Sequence, residues 1–146
     1  MSKLNAFLRP VSTERTKEIV VSDRFLELDE QGNPIEGKAA KITIKAISQE
    51  ENQALIKAST REAEDSKGQP YNKFDNAEYQ KRLIVACTVS PDFGNTEMCS
   101  AYGTLDPTEV PGKMFFSGEY AKLVNEIMEI NGYKDIIKLS DDAKNS

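Results

Sequence analysis

Several pairs of neighbouring carboxylates occur in this sequence, and their type and spacing could support acid–base chemistry or metal binding. They are grouped at Asp29-Glu30, Glu50-Glu51, Glu62-Glu64-Asp65 and Asp141-Asp142. Such pairs can transfer protons or bind a metal ion, but most of these fall in predicted loops or first helical turns, where solvent and the helix dipole account for them. The segment 29–36 is similar to a calcium loop with oxygen ligands, although the EF-hand spacing is absent. We therefore interpret the carboxylates as surface groups.

Nucleophilic catalysis and transition-metal binding also lack their usual residues. The sequence contains no histidine, the commonest general base and metal ligand. Cys87 and Cys99 do not form a CxxC pair and lie among apolar residues, so we expect buried free thiols, with a disulfide or a reactive thiol as alternatives. Walker A, dinucleotide-binding and nucleophile-elbow motifs are absent. The sequence therefore predicts no enzyme and no cofactor.

The charge distribution argues against two further classes of partner. The 146-residue chain has a net charge of −5 and a pI near 4.9, and its basic residues, such as Lys81-Arg82, are interleaved with acids. Nucleic-acid binding needs a basic stripe instead. No apolar run approaches a membrane span, and the run within residues 1–10 is too short for a signal peptide. We expect neither nucleic acid nor membrane as a partner.

The first third of the sequence has the period of β-strands. Residues 1–17 are predicted to form a flexible N-terminal arm, and its apolar residues Leu4, Phe7 and Leu8 have no local partner. Short strands are predicted at 18–22, 24–28 and 41–45 around a turn-rich segment at 29–37. Short connections favour hairpins, so these strands predict a small antiparallel β element.

After Ile47 the period becomes helical. Helices are predicted from Ser48 to about residue 63, at 76–88, at 96–102, for one turn after Asp106, and at 118–130, with a loop at 64–73. Their starts carry capping residues: Ser48, Asp75, Asn95, Asp106 and Ser117. Asn131-Gly132 can end the last helix. We expect Leu83, Ile84, Leu123 and Ile127 to form the core between the two best-capped helices.

These elements together predict an α+β fold: a small N-terminal antiparallel β element followed by a mostly helical body of four to five helices. One domain is expected at 18–139, and residues 140–146 are expected to be a disordered C-terminal tail. Phe115-Phe116, which precede the last helix, are more apolar than a linker needs. Together with Leu4, Phe7 and Leu8 they are the predicted partner-binding residues, since unexplained apolar patches often mark interaction sites.

The order of the motifs resembles that of the XkdN-like tail assembly chaperones of PBSX-like contractile-tailed phages and prophages. The resemblance runs from about residue 18 to the C-terminus. Its motifs are Val21-Ser-Asp-Arg-Phe25, Asp29–Pro34, Ile44–Glu51, Tyr79 with Leu83–Ala86, Glu97–Gly103, Pro107–Glu109, Lys113-Met114, Gly118-Glu-Tyr120 and Glu129–Gly132.

The resemblance implies a non-catalytic protein that acts during phage tail assembly. It would bind the tape measure protein, keep that long helical chain soluble and help to recruit tail tube subunits. It would work in the bacterial host cytoplasm and be absent from the mature virion; self-association is a further expectation. A structural or adaptor protein of the tail, of the connector or completion type, is the alternative function, and an unrelated cytosolic regulator is a weaker one.

A final expectation concerns the C-terminal residues. Tail assembly chaperones of many long-tailed phages resemble one another in having a longer form made by ribosomal frameshifting. Ala143, Lys144 and Asn145 can be encoded by GCA-AAA-AAC, which contains the slippery heptamer A-AAA-AAC. Lys144-Asn145 is therefore predicted to be the frameshift position, with an ordinary polar tail as the alternative.

Overall fold

The computed structural model describes residues 5–8 and 14–133, and these residues form six α-helices and seven β-strands. The strands are β1 (Thr16–Ile19), β2 (Leu26–Leu28), β3 (Pro34–Ala39), β4 (Ile42–Lys45), β5 (Thr60–Glu64), β6 (Pro70–Phe74) and β7 (Thr88–Ser90). The α-helices are α1 (Asn5–Leu8), α2 (Gln49–Ala58), α3 (Asn76–Cys87), α4 (Thr96–Ala101), α5 (Val110–Met114) and α6 (Ser117–Ile130). A 3₁₀ turn, Pro107–Glu109, precedes α5.

The central sheet has the antiparallel order β1-β4-β7. Ile19 pairs with Ile42, and Ile44 pairs with Thr88. Along β4 the isoleucines are buried while Thr43 and Lys45 are only partly so, which is the alternation expected of a strand with one face against a core. The strand predicted at 41–45 is therefore confirmed.

The predicted succession of a β element and then a helical body was wrong. Besides the central sheet there are two separate hairpins, β2-β3 and β5-β6, so strands occur along much of the chain. In the β2-β3 hairpin, β3 begins at Pro34, within the segment 29–37 that the sequence predicts to be a turn, and continues to Ala39. The β5-β6 hairpin occupies the segment predicted to be the end of a helix and a loop, and β7 follows α3 directly.

The end of α2 explains why the β5-β6 hairpin was missed. The Ser59 and Thr60 hydroxyls donate to the carbonyls of Leu55 and Ile56 at 2.8 and 2.7 Å, and such bonds to the preceding turn favour a helix end over its continuation. The chain then reverses after Asp65, whose carboxylate accepts from backbone N–H groups of the turn. Most side chains of both strands are exposed, so the segment carries almost no apolar alternation.

The core lies where α3 and α6 pack over the central sheet. Leu83 is 3% exposed, while Ile84, Leu123 and Ile127 are fully buried in one cluster with Ile42, Ile44 and other residues. This confirms the predicted core. At the C-terminal end of α6, Gly132 has φ +92° and Tyr133 N–H donates to the Met128 carbonyl at 3.1 Å, the bond that defines a Schellman motif.

Four of the five predicted caps are confirmed, whereas the cap of α6 differs and α5 extends beyond the one turn predicted after Asp106. Ser48, Asp75, Asn95 and Asp106 each accept a backbone N–H from the first turn of the following helix. In α6 the cap position is Phe116 rather than Ser117. The Glu119 carboxylate accepts from Phe116 N–H at 2.8 Å and so satisfies a donor that lies just outside the helix.

The beginning of β1 lies beside the end of α6. The Arg15 guanidinium is 3.5 Å from the carbonyl oxygen of Ile130, and Lys17 forms an ion pair with Glu126 at 3.0 Å. The first strand of the sheet thus begins ahead of the domain boundary predicted at residue 18, and it closes against the last described helix.

Candidate functional site

The structure separates the predicted partner-binding residues into two places. Phe7 and Leu8 lie in α1 and are 85% and 66% exposed. Phe115 is buried, and its ring contacts the edge of the Phe25 ring at a centroid distance of 6.0 Å, whereas Phe116 is 65% exposed. Leu4, Lys144 and Asn145 lie outside the described residues. Partner binding by any of these residues stays a prediction.

Phe115 forms part of the wall of an open apolar groove, which we call the Phe115 groove. Its volume is about 290 Å³, and its lining includes Val21, Phe25, Pro91, Met98, Met114 and Phe115. Methionine side chains are flexible and polarisable, so they adapt to apolar surfaces of different shapes. The groove can therefore accept apolar side chains without demanding one particular sequence.

Arg24 fixes one side of this groove. Its guanidinium donates to both Glu119 carboxylate oxygens, at 2.6 and 3.3 Å, and to the Met114 carbonyl at 2.9 Å. The same group lies 4.0 Å from the centre of the Phe116 ring and 5.0 Å from that of Phe25. A planar guanidinium is suited to bidentate pairing and to stacking at once. Phe116 is thus held beside the groove although it is exposed.

The electrostatics of this cluster keep both charges present and paired. Hydrogen bonds from Arg24 and from the Ser22 hydroxyl lower the pKa of Glu119 to about 2, with a further contribution from the Phe116 N–H. The same carboxylate raises the pKa of Arg24. An ion pair next to apolar walls neutralises charge where an apolar ligand would lie, so the cluster supports apolar binding rather than acid–base chemistry.

Arg24 could not be identified as a site residue from the sequence. Its partner Glu119 is recognisable only as an acidic residue at the start of α6, and the two residues are 95 positions apart, so no local pattern connects them. Arg24 does belong to the motif at residues 21–25 that carries the family resemblance, but that motif suggests no role for the side chain.

The remaining candidate groups are structural in the described part of the chain. Cys87 and Cys99 are free and buried, and burial raises the pKa of the Cys87 thiol to about 11; both predicted thiol assignments are confirmed. Within residues 5–8 and 14–133, no three His, Cys, Asp or Glu side chains lie close enough together to hold a metal ion. No helix within these ranges has the length and apolar character needed to cross a bilayer.

Comparison with known proteins shows similarity over nearly the whole chain. Residues 4–144 match the model of the family described as Phage XkdN-like tail assembly chaperone protein. The Phage-like element PBSX protein XkdN of Bacillus subtilis (strain 168) is 34% identical over 145 residues, which cover 96% of this chain and 93% of the relative. Protein YqbN of the same strain is 33% identical over 144 residues, covering 96% and 92% respectively. The crystal structure of YqbN aligns with a TM-score of 0.67 and 29% identity over 88% of this chain and 96% of that one.

Proposed function

Because the chain belongs to the family of XkdN-like phage tail assembly chaperones, we propose that it binds the tape measure protein, keeps it soluble and helps to recruit tail tube subunits. In this role it works in the host cytoplasm, carries out no catalysis and leaves before the tail is complete. All of this goes beyond family membership and belongs to the proposal; the described surface supports the binding of an apolar helical partner.

The Phe115 groove is the observation that carries the proposal. An amphipathic helix binds by laying its apolar side chains into such a groove, and the exposed ring of Phe116 extends the apolar surface beyond it. Met98 and Met114 let the walls repack around different side chains. That adaptability suits a long helical partner that offers many similar, non-identical segments.

Co-expression with the tape measure protein tests the proposal. Phe116→Ser removes the exposed ring, and Ala40→Leu adds bulk at a half-buried position in the lining of the groove. We expect both variants to lower the soluble fraction of tape measure protein several-fold while their own unfolding midpoints stay close to that of the unchanged chain. Leu28→Ser, which alters a side chain that is 62% exposed on β2, is the matched control and should have no effect.

Equal solubilisation by all three variants would reject the groove as the binding site. The timing of action needs a separate measurement, which is mass spectrometry of purified tails. The chaperone role predicts that this chain is absent from them. Its presence at a fixed stoichiometry would favour a structural or adaptor protein of the tail, the connector or completion type, over a chaperone.

A further inference from the structure

Leu105 is an apolar side chain held fully exposed by an ordered loop. It is 100% exposed, yet hydrogen bonds fix the backbone on both sides of it. Thr104 N–H donates to the Cys99 carbonyl and Asp106 N–H to the Thr104 hydroxyl, both at 3.1 Å. The Asp106 carboxylate then caps the 3₁₀ turn through Thr108 N–H. The exposure of Leu105 is therefore built into the loop.

A second groove, which we call the Leu105 groove, lies next to this side chain. Its volume is about 400 Å³, and its lining includes Gly94, Thr96, Ser100, Gly103, Leu105 and Pro107. The volume is within the range of ~300–1,000 Å³ found for pockets that bind ligands. Small side chains leave the floor open, so a bulky apolar group from another chain can lie against Leu105.

The surroundings of the Leu105 groove are acidic. Residues 83–112 contain no lysine or arginine, and their charged residues are Asp92, Glu97, Asp106 and Glu109. The hydrogen bonds from Thr108, and then the nearby Lys81 and Arg82, lower the pKa of Asp106. Both basic residues are already in ion pairs, Lys81 with Glu109 at 2.8 Å and Arg82 with Glu78 at 3.0 Å. Asp92, Glu97 and Asp106 remain as the negative charges next in sequence to the lining residues. The groove is thus complementary to a segment that is both apolar and cationic.

The N-terminal arm of the chain has this composition. Residues 1–13, the first part of the arm predicted at 1–17, contain Lys3 and Arg9 but no Asp or Glu, together with Leu4, Phe7 and Leu8; Glu14 is the first acid of the arm. The high exposure of Phe7 and Leu8 shows that the described part of the chain, residues 14–133, does not cover them.

We propose that the Leu105 groove of one copy binds the N-terminal arm of a second copy, with Phe7 and Leu8 against Leu105 and with Lys3 and Arg9 facing the acidic surroundings. This contact is separate from the Phe115 groove and does not require the tape measure protein. It makes self-association sensitive to salt, because exposed charge pairs are screened by ions.

Sedimentation velocity of the full chain over a range of concentrations tests the contact. Each of two variants, Leu105→Ser and the double variant Phe7→Ser, Leu8→Ser, should raise the dissociation constant for self-association at least ~10-fold, as expected for loss of a buried apolar side chain. Leu28→Ser is again the exposed control and should associate like the unchanged chain.

Mixing the two variants gives the decisive result. The Leu105→Ser chain keeps its arm and the arm variant keeps its groove, so one intact contact can form only between unlike chains. We expect hetero-association of the mixture under conditions in which each variant alone is monomeric. A monomeric unchanged chain, or variants that associate as well as the unchanged chain, would overturn the proposal, whether or not solubilisation of the tape measure protein is affected.

Discussion

Asn131 should contribute more to stability than its position at a helix end suggests. Its side-chain oxygen accepts from Ile47 N–H at 2.9 Å, just beyond β4. Its side-chain nitrogen donates to the Ile127 carbonyl at 2.8 Å and lies 3.7 Å from the Cys87 sulfur at the end of α3. One amide group thus connects the ends of β4, α3 and α6.

The substitution Asn131→Ala removes both hydrogen bonds of the side chain, but the two former partners are affected differently. The Ile127 carbonyl keeps a partner, because it also accepts from the backbone N–H of residue 131 at 3.2 Å. The half-buried Ile47 N–H loses the side-chain oxygen that it donates to, and an unsatisfied donor costs ~1–3 kcal/mol. We therefore expect a loss of about 1–3 kcal/mol in the free energy of unfolding, most of it from Ile47.

Urea unfolding measures the total loss, and hydrogen exchange assigns it. The Ile47 amide should exchange faster in Asn131→Ala, while the amide of Thr43 within β4 should change only as much as global stability does. Asn125→Ala, on the exposed face of α6, is the control and should stay within ~0.5 kcal/mol of the unchanged chain. A loss below ~0.5 kcal/mol for Asn131→Ala, or unchanged exchange at Ile47, would refute the assignment.

Three further substitutions test the core, the ion pair and the helix end. Leu123→Ala should lower the free energy of unfolding by about 2–5 kcal/mol, because the residue is fully buried and leaves a cavity; an effect no larger than that of Leu28→Ala would show that the α6 face is not core. The ordinary pKa of a glutamate is 4.5 and that of Glu119 is about 2, so the stabilisation is complete above about pH 4.5 and is lost as the pH falls towards 2. Acid titrations of stability should therefore be shallower for Glu119→Gln in that window, and identical curves would contradict the pairing. Gly132→Ala should lower the free energy of unfolding by ~1 kcal/mol or more, because φ at this position is +92°. The control Gly118→Ala lies in α6, where an added Cβ meets nothing within 4 Å, and should be neutral or stabilise by ~0.4–1 kcal/mol. Equal effects of the two substitutions in thermal unfolding would argue against the Schellman geometry.

Features specified by a few neighbouring residues could be predicted from the sequence. In the caps at Ser48, Asp75, Asn95 and Asp106, the side chain accepts from a backbone N–H no more than three residues later in the sequence. The buried face of α6, with Leu123 and Ile127, is recognisable from the helical spacing of its apolar residues. The β5-β6 hairpin could not be predicted in this way, because its side chains face solvent and its strands lack alternation.

The candidate site was predictable only in part. Phe115 and Phe116 were identified by their apolar character, which is a property of single residues. Which ring is buried is decided by tertiary contacts that local patterns do not encode: Phe115 packs against Phe25, while Arg24 lies over the Phe116 ring and pairs with Glu119. The acidic surroundings of Leu105 are different, because the absence of lysine and arginine from residues 83–112 can be read directly from the sequence.

The proximity of Arg15 to Ile130 has a consequence for how the chain can be extended. The body that begins near residue 14 and ends near residue 133 has both of its ends on one side, so whatever is attached to either end starts from nearly the same point in space. Two ligands bound by such attachments are confined to the same small volume, so each is present at a high effective concentration for the other. An arm that holds a neighbouring copy and a longer C-terminal form would be coupled in this way without any change in the shape of the body between them.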